Sequence, residues 1–481
     1  MNVLFSEFSL VPNRKQLTSK RRALLVVVAL FAFILSGMPK LRVVAGMPLY
    51  AIDFIVLYLL IKTGYKQKVR YRGFARILVN LLSYYAVFVA LGELRGGLVY
   101  QMPLEMTYML FRLAMALSLT YILPRQIQSL AELKYVVKGL CLGLLLSATI
   151  AILYSLPATR GLTDTVFSIK ALAPDGDQIA GAADLINNNN FEGNSRGRTL
   201  IGVSTFSSGV MAALWPFVFM GSALLPQKGF WNHLRKVAFV VLPLGILATY
   251  GRSAWLSVVL VLIAIVVWGS ARARAKLVLC LLLASLTLAP LGVDMLTSKF
   301  PLINRVVRKT QVTIEHGAER ESEAERFLAY IEPFEHVVKH PSFLLIGSGA
   351  AQRRQGGNAY GEAESASHAI PGMAYYAYGA GGALCQIGFM FFALRLVTRR
   401  LQQAKRHLPS LTWIWRSLIG CWFGLLPWWC FGHGIVTAPR GAMVFFLFIG
   451  LILACDQIFT TLCAQAELSK RQSWPSDGLS A

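Results

Sequence analysis

Apolar runs of membrane-spanning length constrain this chain before anything else does. A helix needs about 20 consecutive apolar residues to cross the hydrocarbon layer, and runs near that length recur from residue 23 to residue 462. Lipid offers no hydrogen-bond partner to an exposed backbone, so a single run satisfies its own amides by becoming a helix. Run length and periodicity predict about twelve spans, over residues 23–43, 48–62, 76–92, 103–123, 136–155, 201–225, 236–250, 253–270, 275–293, 372–397, 411–431 and 440–462. The expected fold is therefore all-α, a polytopic membrane protein and not a string of soluble domains. Only 15% of the residues are charged, where a soluble domain carries about 25%.

The charge that remains is distributed by topology. The net charge of +24 would suggest nucleic acid in a soluble protein. Here the basic residues sit between apolar runs, so membrane topology accounts for them. Nucleic acid is therefore not an expected partner. Lys and Arg collect in alternate loops: Arg14 to Arg22, Lys62 to Arg76, Arg125 to Lys138, Lys228 to Lys236, Arg272 to Lys276, Arg399 to Arg406, and Lys470 with Arg471. The positive-inside rule puts these loops and both termini in the cytoplasm. Residues 1–22 form a basic cytoplasmic start and residues 463–481 a cytoplasmic tail. Residues 23–293 carry nine spans and residues 372–462 the last three. No small-residue cleavage site follows the basic start, so the first span is not read as a removable signal. The seven cysteines lie in or beside apolar runs without CxxC spacing. They read as small core residues, not as zinc ligands or a disulfide framework.

Four segments then face the other side: 157–200, the tight turn 250–253, the long polar stretch 294–371, and 431–440 with His433. The long stretch holds nine Lys/Arg and ten Asp/Glu. Its arginines thus do not follow the cytoplasmic bias. Phe327, Ile331, Phe334 and Val338 mark one face of an amphipathic helix. Pro333 bends it, His340-Pro341 ends it, and Gly347 and Gly349 suit a tight backbone turn.

Several outward residues carry candidate chemistry, each with a plainer alternative. Arg252 lies between two apolar spans. It is either a snorkelling interfacial residue or a guanidinium that grips phosphate oxygens in a fork. Arg326 stands among Glu321, Glu323 and Glu325, so it is either one of several weak surface ion pairs or a phosphate ligand. His368 sits at the mouth of a span, after Ser365-Ala366-Ser367. A histidine there is either a structural hydrogen-bond partner or a general base near neutral pH. Arg196, Arg198 and Arg440 are further outward cations that a diphosphate would recruit. The chain has no GxxxxGK[ST] loop and no HExxH. Nucleotide-driven transport is not expected, nor is a metal or other cofactor.

These segments resemble the O-antigen ligase and polymerase family of bacterial inner-membrane glycosyltransferases. Tyr250-Gly251-Arg252-Ser253-Ala254-Trp255-Leu256 looks like that family's Ser-Arg-(small)-Ala-Trp-Leu start of a span. Arg326-Phe327 through His340-Pro341 to Gly347-Ser348-Gly349 looks like its Arg…His-Pro-Leu-(x)-Gly-(x)-Gly segment. Ser367-His368, with Gly379, Gly381 and Gly382 beyond, looks like its His-Asn-(x)-Tyr-Leu…Gly segment, with Ala369 in place of the Asn. Arg198 to Gly202 is a weaker match to an Arg-Gly segment before an earlier span. The similarity runs over roughly residues 200–395.

The resemblance implies a GT-C-like membrane enzyme with one large, partly helical periplasmic loop. It implies inverting, metal-independent transfer of a glycan from undecaprenyl diphosphate to an acceptor sugar hydroxyl at the periplasmic face. The acceptor would be a glycan or lipid A core, and other polysaccharide-assembly membrane proteins would be partners. It further implies that His368 takes the hydroxyl proton, that Arg252 and Arg326 hold the diphosphate, and that Arg198 and Arg440 add contacts. Two other classes stay open on the residues alone. A twelve-span transporter or lipid-glycan flippase would bury charge near mid-membrane, and Arg112 is the clear candidate. A structural scaffold would tolerate single polar changes.

Overall fold

The computed structural model of the protein describes residues 40–44, 47–64, 69–99, 101–156, 158–159, 161–163, 204–221, 229–249, 252–271, 274–275, 277–278, 338, 341–349, 370–431 and 439–472. Ten long helices dominate these residues. They are α1 (Ala51–Gly64), α2 (Phe74–Val99), α3 (Pro103–Gln126), α4 (Leu130–Ser155), α5 (Ser204–Gly221), α6 (Phe230–Ala248), α7 (Arg252–Trp268), α8 (Ile370–His407), α9 (Thr412–Phe431) and α10 (Pro439–Gln472). Six of them are long and apolar enough to cross a membrane. Each expected span from residue 76 onward overlaps one of these helices, apart from 275–293, almost all of which lies outside the described residues, and α2, α8 and α10 run seven to ten residues past the expected ends. The amphipathic helix expected over 327–338 also falls outside them, except for Val338.

Local sequence explains where the helices start. Pro103 occupies the first turn of α3, where its missing amide costs nothing. Ser129 caps α4 in a reciprocal box: the Glu132 amide donates to Ser129 Oγ at 3.3 Å, and the Ser129 amide donates to Glu132 Oε2 at 3.0 Å.

The first two expected spans need correction. Lys40–Val44 (β1) pairs antiparallel with Met47–Tyr50 (β2), Lys40 opposite Tyr50 and Leu41 opposite Leu49. The end of the run expected at 23–43 and the start of that expected at 48–62 are therefore strand. Pro48 has no amide to continue a helix and is tolerated in an edge ladder, and the Val43-Val44 pair favours extended backbone. The hairpin leads directly into α1, which has 14 residues, is roughly 21 Å long and falls short of the ~30 Å hydrocarbon layer.

Packing registers, together with the short connections between consecutive helices, give the helices their directions. On α2 against α8, Phe88 meets Gly381 and Leu81 meets Gly388, an antiparallel pair. On α5 against α9, Gly209 meets Trp428 and Ala212 meets Gly424, again antiparallel. Between α4 and α6, Lys138 lies over Trp231 and Ala148 meets Gly245, so these run parallel. Between α1 and α3, Asp53 pairs with Arg112 and Thr63 with Gln126, also parallel. Arg400 of α8 pairs with Asp456 of α10 at 2.6 Å.

One end of the bundle therefore gathers the C-termini of α2, α4, α6 and α9 with the N-termini of α3, α5, α7, α8 and α10. The other end carries Lys62, Arg70, Arg72, Arg76, Arg125, Lys134, Lys138, Lys236, Arg399, Lys405 and Arg406. The charge asymmetry read along the sequence is thus an asymmetry between the two ends of one bundle.

The interior is aromatic. Tyr85 stacks edge-on against Phe389 at 5.4 Å and Tyr378 at 5.7 Å, while Trp415 packs edge-on to Phe459 at 5.7 Å. Within this apolar medium Arg112 Nη1 donates to Asp53 Oδ1, both side chains almost fully buried. The pair lets each charge leave water with its counter-charge. It also pins the start of the short α1 to the middle of α3.

Candidate functional site

The segment Pro341–Gly349 is docked into a break in α8. It opens with a 3-10 turn, Pro341–Phe343, and closes through Gly347 and Gly349, both in the left-handed region at φ 76° and 78°. Glycine adopts that backbone without the steric cost of a Cβ. The spacing Gly347-Ser348-Gly349 predicts this turn, and its geometry agrees.

Gly379 breaks α8 with φ 69° and ψ −172°, a combination in practice reserved for glycine. The helix is thereby two helices, Ile370–Tyr378 and Ala380–His407. A break frees backbone groups that lipid cannot satisfy, so it survives only where protein supplies partners. The docked turn supplies them. Ser348 N donates to Tyr376 O at 2.9 Å, Gly349 N to Ala377 O at 2.9 Å, and Ala380 N to Leu344 O at 2.8 Å. Ser348 Oγ adds a bond to Tyr376 O at 3.2 Å.

The last turns of α2 form the floor beneath this junction. Gly92, Glu93, Gly96 and Gly97 are buried. A Cβ at Gly92 would stand 2.6 Å from Ala377 O and 3.0 Å from Ile346 O, and one at Gly96 would overlap Ser348 O. Small residues four apart let the backbones approach this closely. Tyr378 Oη donates to Glu93 Oε1 at 3.3 Å, with Glu93 fully buried. Arg95 Nη1 donates to Ser342 O, and its guanidinium lies 4.2 Å from the centre of the Phe343 ring.

Of the site residues expected from sequence, two lie in described helices. Arg252 is the first residue of α7, inside the helix and not in the preceding turn, and Arg440 is the second residue of α10. Both helix starts belong to the end of the bundle that holds the docked turn. A helix N-terminus carries partial positive charge and unpaired amides, which favour an anion nearby. His368, Arg326 and Arg198 lie outside the described residues, and His368 precedes the start of α8 by two positions. The junction therefore links the Gly347-Ser348-Gly349 motif with the helix that comes after His368. Glu93 and Arg95 were not singled out from the sequence. The signal that would have found them is Gly92-x-x-x-Gly96 with two charges at the end of an apolar run.

Residues 237–385 match the family model described as O-antigen ligase. The match begins in α6, includes Arg252, Arg326, the docked turn and His368, and ends beyond the break at Gly379. Arg198, Arg440 and Glu93 lie outside it. No curated protein matches the chain. The resemblance carried by the three motifs is thus supported by an independent comparison over the same stretch, and the apolar helices make the chain a multi-pass membrane protein.

Proposed function

We propose that this O-antigen ligase-like membrane protein transfers a glycan from undecaprenyl diphosphate to an acceptor sugar hydroxyl at the end of the bundle where α7, α8 and α10 begin. The acceptor hydroxyl oxygen attacks the anomeric carbon. The bond from that carbon to the diphosphate oxygen breaks, and the diphosphate leaves with the electron pair. His368 takes the hydroxyl proton. Arg252 and Arg326 hold the leaving diphosphate, with Arg198 and Arg440 as further contacts. Fixed cations in a partly dry cleft lower the barrier because negative charge grows on the departing group. Attack opposite that group inverts the anomeric centre.

The observation that carries this reading is the family match from α6 to beyond the α8 break, which contains all three principal residues. In the same reading the basic end faces the cytoplasm, with both termini, and residues 294–371 form the periplasmic loop of a multi-pass inner-membrane protein. Ligation to lipid A core and polymerisation of repeat units use the same chemistry and differ only in the acceptor.

Arg112 is the feature a transporter would need, and it is buried. Its charge is already matched by Asp53 inside the bundle, which gives it a structural role and weakens that alternative. The test is His368→Ala, Arg252→Ala and Arg326→Ala in the native host. The transferase reading expects normal protein levels, accumulated lipid-linked glycan and loss of long-chain product. Wild-type polysaccharide from all three variants would end it.

A further inference from the structure

Glu93 has no part in the transfer chemistry above, yet it meets both halves of the junction. It comes from α2, far from the docked turn and the α8 break in sequence, and is fully buried. Its Oε1 accepts from Tyr378 Oη at 3.3 Å, at the last residue before the break. Its Oε2 faces Gly349, where an added Cβ would stand 3.4 Å away, and the neighbouring Gly92 O would be 2.8 Å from that same Cβ. The carboxylate is thus covered by the turn and cannot meet a substrate. A buried carboxylate needs polar partners inside the bundle, and the Tyr378 phenol at the break is one of them.

Resting on the transferase reading, we propose that Glu93 is a positioning residue: it fastens Tyr378 and the Gly347–Gly349 turn to α2, and so fixes the short helix Ile370–Tyr378 that comes after His368. Gly379 has one neighbour on its N-terminal side that this clamp holds, Tyr378, whose ring is also packed edge-on against Tyr85 at 5.7 Å. Without the clamp, Ile370–Tyr378 pivots about Gly379 as a unit. A pivot displaces the proton acceptor from the acceptor hydroxyl while leaving Arg252 and Arg440, at the starts of α7 and α10, in place. The expected signature is a loss in kcat with little change in donor KM, because an ångström of misplacement costs about 100-fold in rate.

The experiment uses the full-length protein in lipid nanodiscs with a polyprenyl-diphosphate oligosaccharide donor, and compares Glu93→Ala, Glu93→Gln and Tyr378→Phe. For Glu93→Ala, kcat falls about 100-fold with donor KM within about 3-fold, and amide exchange quickens in 341–349 and 370–378. Glu93→Gln keeps an acceptor for the phenol and recovers most of kcat. Tyr378→Phe keeps the ring packing and loses roughly tenfold in kcat. A folded Glu93→Ala protein with unchanged kcat, or with unchanged exchange in both segments, overturns the proposal. Should Glu93→Ala not fold, Tyr378→Phe decides: unchanged kcat and exchange there overturn it equally. The exchange measurement needs no reaction, so it separates failure of the clamp from failure of the transferase assignment, which active His368→Ala protein would reveal.

Discussion

Gly92→Ala adds one methyl group where α2 passes under the junction. Its Cβ would lie 2.6 Å from Ala377 O, 3.0 Å from Ile346 O and 3.0 Å from Tyr378 Cδ1. Ordinary carbon–oxygen contact is about 3.3 Å or more, so the carbonyl and the turn must withdraw by roughly 0.7 Å. Two of the three atoms are backbone and cannot swing aside. Ala377 O is also the acceptor for Gly349 N at 2.9 Å, and the bonds from Ser348 N and Ala380 N are equally short. Three such bonds are worth about 1 kcal/mol each in net terms. Alanine recovers about 1 kcal/mol through its better helix propensity, leaving a net loss of about 2 kcal/mol. The protein should therefore fold, with a lowered melting temperature, while the Ile370–Tyr378 helix moves by most of an ångström. A shift of that size lowers turnover on the order of 10- to 100-fold. The assay is donor turnover in nanodiscs beside a melting curve, with Gly388→Ala as the control. The three nearest atoms to a Cβ at Gly388 are all of the Leu81 side chain, the closest being Cδ1 at 3.0 Å, a movable end. Wild-type turnover and melting for Gly92→Ala would refute the close packing on which the junction rests.

The remaining contacts give three further expected outcomes. Asp53→Ala leaves the Arg112 guanidinium buried without its carboxylate and should destabilise the protein by about 3–5 kcal/mol, whereas Asp53→Leu with Arg112→Met should recover most of that loss in the same melting assay. Ser129→Ala removes the cap of α4 and should cost about 1 kcal/mol, read as a small drop in melting temperature without loss of turnover. Burial pushes the Tyr71 phenol up to about 12 from its ordinary value of 10.0, with the nearby Arg125 charge pulling it back. The unfolded chain then ionises first, so this contribution to stability is intact below pH 10 and is lost as pH rises from 10 towards 12. Tyr71→Phe should show a smaller fall in melting temperature between pH 9 and pH 11, and an identical fall would remove Tyr71 from the account.

The sequence by itself determined the properties that depend on residues near one another. Apolar run length placed α2 to α10 along the chain, since each helix satisfies its own backbone and needs no distant partner to do so. Alternating Lys/Arg counts separated the two ends of the bundle, because that bias belongs to each loop alone. Gly347-Ser348-Gly349 announced a turn, because the demand for positive φ is local. The residues that carry the resemblance were legible for the same reason, as short motifs in order.

Only the tertiary structure decided what those pieces do to one another. Val43-Val44 and Pro48 carried a local signal for the β1–β2 hairpin, but its apolar content masked it. Neither the break at Gly379 nor the seat of the turn is visible in one segment, since each supplies the hydrogen bonds the other lacks. The bond from Tyr378 to Glu93 spans 285 positions, and Arg112 finds Asp53 across 59. A charge in an apolar run reads as a liability until its partner is known. Whether it becomes a stable pair or a clamp is set by low-dielectric contacts between distant segments, and these exist only once the helices have packed.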